Sequence, residues 1–261
     1  MEKRFAFHGN AVGAAGHIHK PDDSIIWVQG ASSLPVVGGY SRSHIERVKF
    51  GDVLFAESIS TRTTGDYSER EKAYKTLANS VVKGLHIQGR LTADALEATL
   101  ASTHPDEESE PTIVPSGTHI VNLRIDGFPI NVSVDVDLFT KYATRESLSR
   151  AYAGDDAFFN HHGKRFQSSR HAQPPSTTNR QIPEVRGYIT CSIVSEIRTE
   201  HPKIIIDGHV LTLDGFGRIY LGELLITSVS RRLTLLRVKL GSPIEGDVAC
   251  ADVESNGVIM D

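Results

Sequence analysis

Three segments share one spacing, and that spacing leaves few folds open to the chain: Leu85-His86-Ile87-Gln88-Gly89, Leu123-Arg124-Ile125-Asp126-Gly127 and Ile204-Ile205-Ile206-Asp207-Gly208. Each reads as a strand that runs into a glycine turn, because apolar residues recur at period two and then meet the residue that most readily takes a left-handed backbone. Alternation resumes after the turn in Phe128-Pro129-Ile130-Asn131-Val132-Ser133-Val134 and in His209-Val210-Leu211-Thr212-Leu213. A one-residue slip would turn every apolar side chain out into water, so the register is fixed.

In the first copy the turn leads into Leu91 to Leu100, where Ala, Leu and Glu favour a helix and Thr92 offers an N-cap. The other copies continue as strands, and this one is read the same way. Further strands follow at Arg218 to Ile226, Arg232 to Leu240 and Gly246 to Val253. The expected fold is all-β, an antiparallel sandwich, with a short β-solenoid as the alternative; the uneven repeat length favours the sandwich.

The first sixty residues read as short strands at Phe5 to Val12, His17 to His19, Ser24 to Gln29 and Lys49 to Ser60, separated by Pro21-Asp22-Asp23, Leu34-Pro35 and Gly38-Gly39. Two short peripheral helices are expected. Ser68-Glu69-Arg70-Glu71 has the form of a capping box and predicts a helix from Glu69 to Asn79. Thr144, followed by Leu148, Ala151 and Tyr152 and stopped by Gly154, predicts the second.

The stretch His104 to Pro111 is acidic and flanked by proline, which suits a solvated loop. Residues Asp155 to Pro183 lack periodicity and read as a linker or an irregular excursion. The chain is therefore expected to be one β-rich domain over 1–261 interrupted at 155–183, with 1–154 and 184–261 as the alternative division.

A formal net charge of −4, with basic residues scattered among acidic ones, gives no long-range attraction for phosphate backbones and argues against nucleic-acid binding. The start, Met1 to Gly9, has no apolar signal core, and no segment reaches the roughly 20 apolar residues that a membrane helix needs. On these grounds the chain is expected in the cytoplasm and not inserted in a membrane. Only Cys191 and Cys250 are present, in separate apolar segments, and buried free thiols are favoured over a single bridge.

The order of several phrases resembles the choice-of-anchor P family of bacterial β-rich proteins. The residues that carry the likeness are Leu34-Pro35-Val36-Val37-Gly38-Gly39, Ser80-Val81-Val82-Lys83-Gly84-Leu85 running into Leu91-Thr92-Ala93-Asp94-Ala95, Val121 to Gly127, and Gly215-Phe216-Gly217-Arg218-Ile219-Tyr220-Leu221-Gly222-Glu223. Each phrase alone is a common strand-turn sequence; the collinear set spans roughly residues 5 to 255. The resemblance implies an all-β fold and a surface or structural role without assigned catalytic residues, at the cell surface. The missing signal and the histidines depart from it.

Twelve histidines raise the question of a metal. His17-Ile18-His19 places two imidazoles on one face of a strand, about 6 to 7 Å apart along the backbone, a spacing two ligands of one ion can use. His8, on the preceding segment, is the candidate third ligand across a hairpin, and the set His8, His17 and His19 would suit one divalent transition metal. The competing reading is half-exposed strand residues with hydrogen-bonded rings. His161-His162 read as surface residues, and His201 and His209 as strand-end residues. Asp135 and Asp137 read as alternating on one strand face, as a solvated edge or a weak calcium site.

No Gly-x-Ser-x-Gly elbow is present, and Cys191 lies in a core-like strand where a thiol is inert. Gly13-Ala14-Ala15-Gly16 lacks the lysine of a phosphate cradle and reads as close-packing or turn positions. Two functions follow. The leading one is a non-enzymatic structural or binding β protein that contacts a protein partner or another copy of itself, with no cofactor. The alternative is a metal-dependent enzyme using the N-terminal histidines.

Overall fold

A computed structural model describes residues 4–106, 110–166, 180–185 and 187–260. The first six strands are long: β1 (Arg4–Lys20), β2 (Ser24–Ser33), β3 (Gly39–Phe50), β4 (Leu54–Ser68), β5 (Ala73–Ile87) and β6 (Leu91–Pro105). Four short strands follow, β7 (Thr112–Val114), β8 (His119–Val121), β9 (Arg124–Ile125) and β10 (Phe128–Val134). Helices α1 (Val136–Lys141), α2 (Arg145–Gly154) and α3 (Asp156–His162) come next, with a 3-10 turn over Gly163–Phe166. The remainder is β11 (Glu184–Val185), β12 (Tyr188–Ser192), β13 (Val194–Thr199), β14 (Ile204–Asp207), β15 (Val210–Leu213), β16 (Gly217–Ile226), β17 (Ser230–Leu240) and β18 (Glu245–Met260).

Two antiparallel sheets pack face to face as a sandwich, without closing into a barrel. One runs β11-β12-β16-β17-β18-β1-β2, with the β14–β15 hairpin joined to β16; the other runs β13-β10-β9-β6-β5-β4-β3, with β7 and β8 on β6. Strand β18 lies between β17 and β1, so the two ends of the chain are neighbours in one sheet. β18, β1 and β2 cover β6, β5 and β4, and buried residues from before and after the helices form a single hydrophobic cluster.

Each of the three repeated phrases closes a hairpin. Asp126 and Gly127 both take positive φ (50° and 83°) between paired Ile125 and Phe128, the two-residue turn whose twist matches that of antiparallel strands. Ile87 pairs with Leu91 and Asp207 with Val210 around the other two. Arg90 ties the first two of these turns to the β15–β16 turn: it grips Asp126 with two nitrogens at 2.8 and 2.7 Å and donates to the Gly215 carbonyl at 2.9 Å. The guanidinium beside it holds the Asp126 carboxyl below the usual carboxylate range.

The long strands are not uniform ribbons. At one level of each sheet, alternate strands carry a residue with left-handed φ: Arg47, Gly84 and Asn122 in one sheet, and Gly222, Ala251 and Gly30 in the other. Regular pairing skips a position there, as between Val12↔Asp252 and Ala14↔Cys250. The inward face changes parity at the same level. In β5 the buried set is Ala78, Ser80 and Val82 before Gly84, and Leu85 and Ile87 after it. In β18 it passes from Val248 and Cys250 to Ala251 and Val253. The register is the same on both sides of this level, as between Lys83↔Ala95 and Leu85↔Ala93, so no residue is inserted and paired strands reverse together which side chains face inward.

The row corrects several sequence readings. Phe5 to Val12 and His17 to His19 belong to one strand, β1, whose alternation changes phase at Gly13-Ala14. Lys49 to Ser60 is divided by the turn at Gly51-Asp52 between β3 and β4. The helix expected over Glu69 to Asn79 is absent: Ser68 to Lys72 form the β4–β5 turn, in which the Ser68 hydroxyl accepts from the Glu71 amide at 3.3 Å, and Ala73 onward is strand β5 between β4 and β6. A capping signature satisfies backbone amides in a turn as well as in a helix, and two flanking strands override helix propensity. Leu91 to Leu100 is strand, within β6.

The second expected helix is α2, capped by Thr144, whose hydroxyl accepts from the Ser147 amide. The segment from Asp155 is not a plain linker: it opens with α3 and the 3-10 turn, which bury Phe158 and Phe166 against Tyr142 and Tyr152. The run Pro174 to Asn179 lies outside the described residues, as do Glu107, Glu108 and Ser109 of the acidic stretch. His104, at the start of that stretch, is buried in β6 against Phe5. Asp135 and Asp137 do not share a strand face. Asp135 caps α1, accepting from the Leu138 amide at 3.1 Å and from Arg165 at 2.7 Å, and Asp137 lies in the first helical turn.

Cys191 and Cys250 are free and buried, and desolvation pushes both thiols from an ordinary 9.0 up to about 12. Since the folded value is the higher, their contribution to stability is complete below about pH 9 and is lost as pH rises toward 12. We expect neither thiol to react with a water-soluble disulfide reagent at pH 8 in the native protein, and both to react in denaturant. Rapid native labelling of either would show a more open core than this one.

Candidate metal centre

Strand β1 presents His8, His17 and His19 on the outer face of the first sheet, but not together. His8 precedes the phase change, nine residues before His17 on the same strand, about 30 Å away at the usual rise per residue. There is no hairpin between them to bring the rings together. His8 instead lies 3.1 Å from the Asn10 amide and 3.7 Å from Glu254 on β18.

His17 and His19 are adjacent on one face, with ring centroids 4.2 Å apart. Their third companion is Asp23, supplied by the β1–β2 turn. Its Oδ1 is 2.6 Å from His17 Nε2 and 4.0 Å from His19 Nδ1. One donor atom from each of the three lies within 4.8 Å of the others. Two imidazole nitrogens and one carboxylate oxygen are donors that zinc, copper and nickel accept. The Pro21-Asp22-Asp23 turn was legible, but nothing in its sequence reveals that the hairpin folds Asp23 back over His17.

The cluster adjoins the start of β2, where Ile25 pairs with His17. β2 is the outermost strand of its sheet. A bulge sets Trp27 and Val28 opposite the single residue Ala15, and both are turned to solvent, Trp27 to 74% of its full exposure. Ile25 is exposed next to them on the same strand; Val36, Val37 and Tyr40 are also exposed, but toward the Phe7 end of β1. This apolar edge carries no charged residue from Ser24 to Ser33.

His201 is enclosed by the scaffold, and His162 and His209 partly so. Buried His201 accepts the Lys203 amide on Nδ1 and lies 3.5 Å from Asp126. Burial lowers the His162 and His209 pKa values. Asp94 and Glu97 are held by different partners, Asn122 and Asn79, and form no carboxylate pair. Of the hollows in the described surface, one of about 540 Å³, open to solvent, is lined by Phe7, Val37, Tyr40, Thr64, Asp66 and Tyr67, and another by Ile120, Asn122, Asn131 and Ser133. Neither includes His8, His17 or His19.

Fold and surface together define an all-β sandwich with an uncharged free edge and a compact His-His-Asp cluster at one end of it. By sequence the chain belongs to the family described as Domain of unknown function (DUF8256), whose model matches residues 5–227. No curated protein and no solved structure matches it. Among the described residues no helix is long and apolar enough to cross a membrane.

Proposed function

We propose that the protein is a non-enzymatic binding module that pairs with a second copy of itself through strand β2. The observation that carries this reading is the contrast among the sheet edges. β3 exposes Arg42, Glu46, Arg47 and Lys49, and β13 carries Glu196 and Arg198. β11 has two residues and β14 four, ending at Asp207. Charge and brevity are the usual devices that stop an edge from recruiting another strand. β2 has ten residues, no charge, no proline, and exposed Ile25, Trp27 and Val28 flanking buried Ile26.

A strand added to such an edge gains main-chain hydrogen bonds, while side chains such as Trp27 supply apolar contact. With one long uncharged edge among the described strands, antiparallel pairing of β2 with β2 closes on a two-fold axis and stops at a dimer. The position of His17 and His19 on an open sheet face, rather than in a hollow, supports binding over catalysis.

Light scattering after gel filtration tests the proposal. The wild-type chain is expected to elute as a dimer, and Trp27→Lys with Val28→Lys as a folded monomer. A wild-type monomer at the highest soluble concentration, or a dimer untouched by the two lysines, would overturn it.

A further inference from the structure

We infer that His17, His19 and Asp23 form a binding site for one zinc-class divalent cation, independent of any pairing through β2. The site differs from the one the sequence suggested, because His8 is excluded and Asp23 takes its place. In a tetrahedral zinc site with bonds near 2.1 Å, ligand atoms lie about 3.4 Å apart. The observed separations of 2.6 and 4.0 Å straddle that value, and the whole set fits within 4.8 Å. Side-chain rotation alone closes the difference, since His19 and Asp23 are exposed and His17 is half-buried.

Three features make this more than neighbouring polar residues. The histidines sit at i and i+2 of β1; His17 is paired with Asp247 and Ile25, His19 falls at the register shift between Ile18 and Lys20, and their ring centroids lie 4.2 Å apart on one face. The carboxylate comes from the turn that returns to the same sheet, so a cation bound by all three ties the turn to the strand. A further carboxylate, Asp247, stands directly across from His17 in the β1–β18 register. Glu245 on the same strand pairs with Lys20 at 2.9 Å. Lys20 offsets Glu245 and Arg237 comes within 3.9 Å of Asp247, so the charge offered to a cation beside the imidazoles is that of Asp23 with a partly offset contribution from Asp247.

With three protein ligands the ion keeps a fourth position for water or an external donor. The role assigned to it is structural, as a clasp on the β1–β2 hairpin beside the free edge. Proton and metal compete for the ring nitrogens, so affinity weakens in acid.

The test is equilibrium dialysis of the full chain against zinc chloride alone, with bound metal measured by mass spectrometry and affinity by competition with a chromogenic chelator. Wild type is expected to hold one equivalent. His17→Ala with His19→Ala should weaken binding at least about 100-fold and Asp23→Ala about 10-fold, while His8→Ala changes nothing. Far-ultraviolet circular dichroism checks that each variant is folded, and the exposed Asp23→Ala keeps the test valid if the double variant is not. Absence of saturable zinc binding by wild type, retention of the metal by the variants, or loss through His8→Ala would overturn the assignment.

Discussion

Gly13→Ala should lower the unfolding free energy by about 2–3 kcal/mol, a large loss for one methyl group. A Cβ at this position would stand 2.0 Å from Ile59 Cγ2 and 2.8 Å from the Gln29 carbonyl oxygen. Ile59, fully buried on β4, projects across the sandwich into the space that Gly13 and Gly30 leave between β1 and β2. Ile59→Ala alone leaves a cavity and should cost about 2–4 kcal/mol. The two changes together should cost at least about 1 kcal/mol less than their sum, because the new methyl enters the space the isoleucine has left. Recovery stays incomplete, since the Gln29 carbonyl remains in the way. Urea unfolding of the four chains measures the coupling; strict additivity would show that Gly13 and Ile59 do not share this space.

Arg231→Ala is the second large effect, expected at about 3–4 kcal/mol. Arg231 is 1% exposed and anchors β17 to the helical excursion by donating from Nη2 to the carbonyls of Tyr142 and Ala143, at 3.3 and 2.8 Å. Among the described residues no carboxylate lies within ion-pair distance of it. Burial lowers its pKa from 12.5 to about 10. Arg231→Met fills most of the same volume without a buried cation and should cost less than half as much as Arg231→Ala.

The alkaline behaviour separates these variants further. The folded value for Arg231 is the lower one, so the cost of burying the cation is full below about pH 10 and shrinks above it. The two thiols act in the opposite sense over the same range. Stability should therefore fall more steeply between pH 10 and 12 in Arg231→Met than in wild type. Parallel profiles would contradict the depressed value.

How much of this could be read in the sequence depends on where the period of two survives. The hairpins at Gln88-Gly89, Asp126-Gly127 and Gly208 were legible because alternation runs cleanly into a residue suited to positive φ. Leu91 to Leu100 was legible only by analogy with the other copies, against its own helix propensity. β1 was not legible as one strand, because its buried set moves from Phe7, Gly9 and Ala11 to Ala14 and Ile18, which looks like two strands joined by a glycine turn.

The same limit applies to the candidate site. His17 and His19 lie two apart in one strand and could be found from spacing. Asp23 could not, because its place beside them depends on how the β1–β2 turn is folded. His8 stands apart for the same reason that β1 does not read as one strand: the chain changes phase at Gly13-Ala14 without turning back, so no hairpin returns His8 to His17.

The position of β18 between β17 and β1 bears on how the molecule is made. During synthesis β1 emerges before the other described strands, yet its partner on one side arrives only with residues 245–260. Until then the nascent chain holds a half-paired β1 and an open inner face, and the sheet cannot close in the order in which it is translated. Contacts of such sequence separation slow folding and leave edges available to the wrong strand. Removing the last strand should therefore do more than shorten the protein; it should hold the chain at the stage where a chaperone or a neighbouring nascent chain can occupy the vacant place.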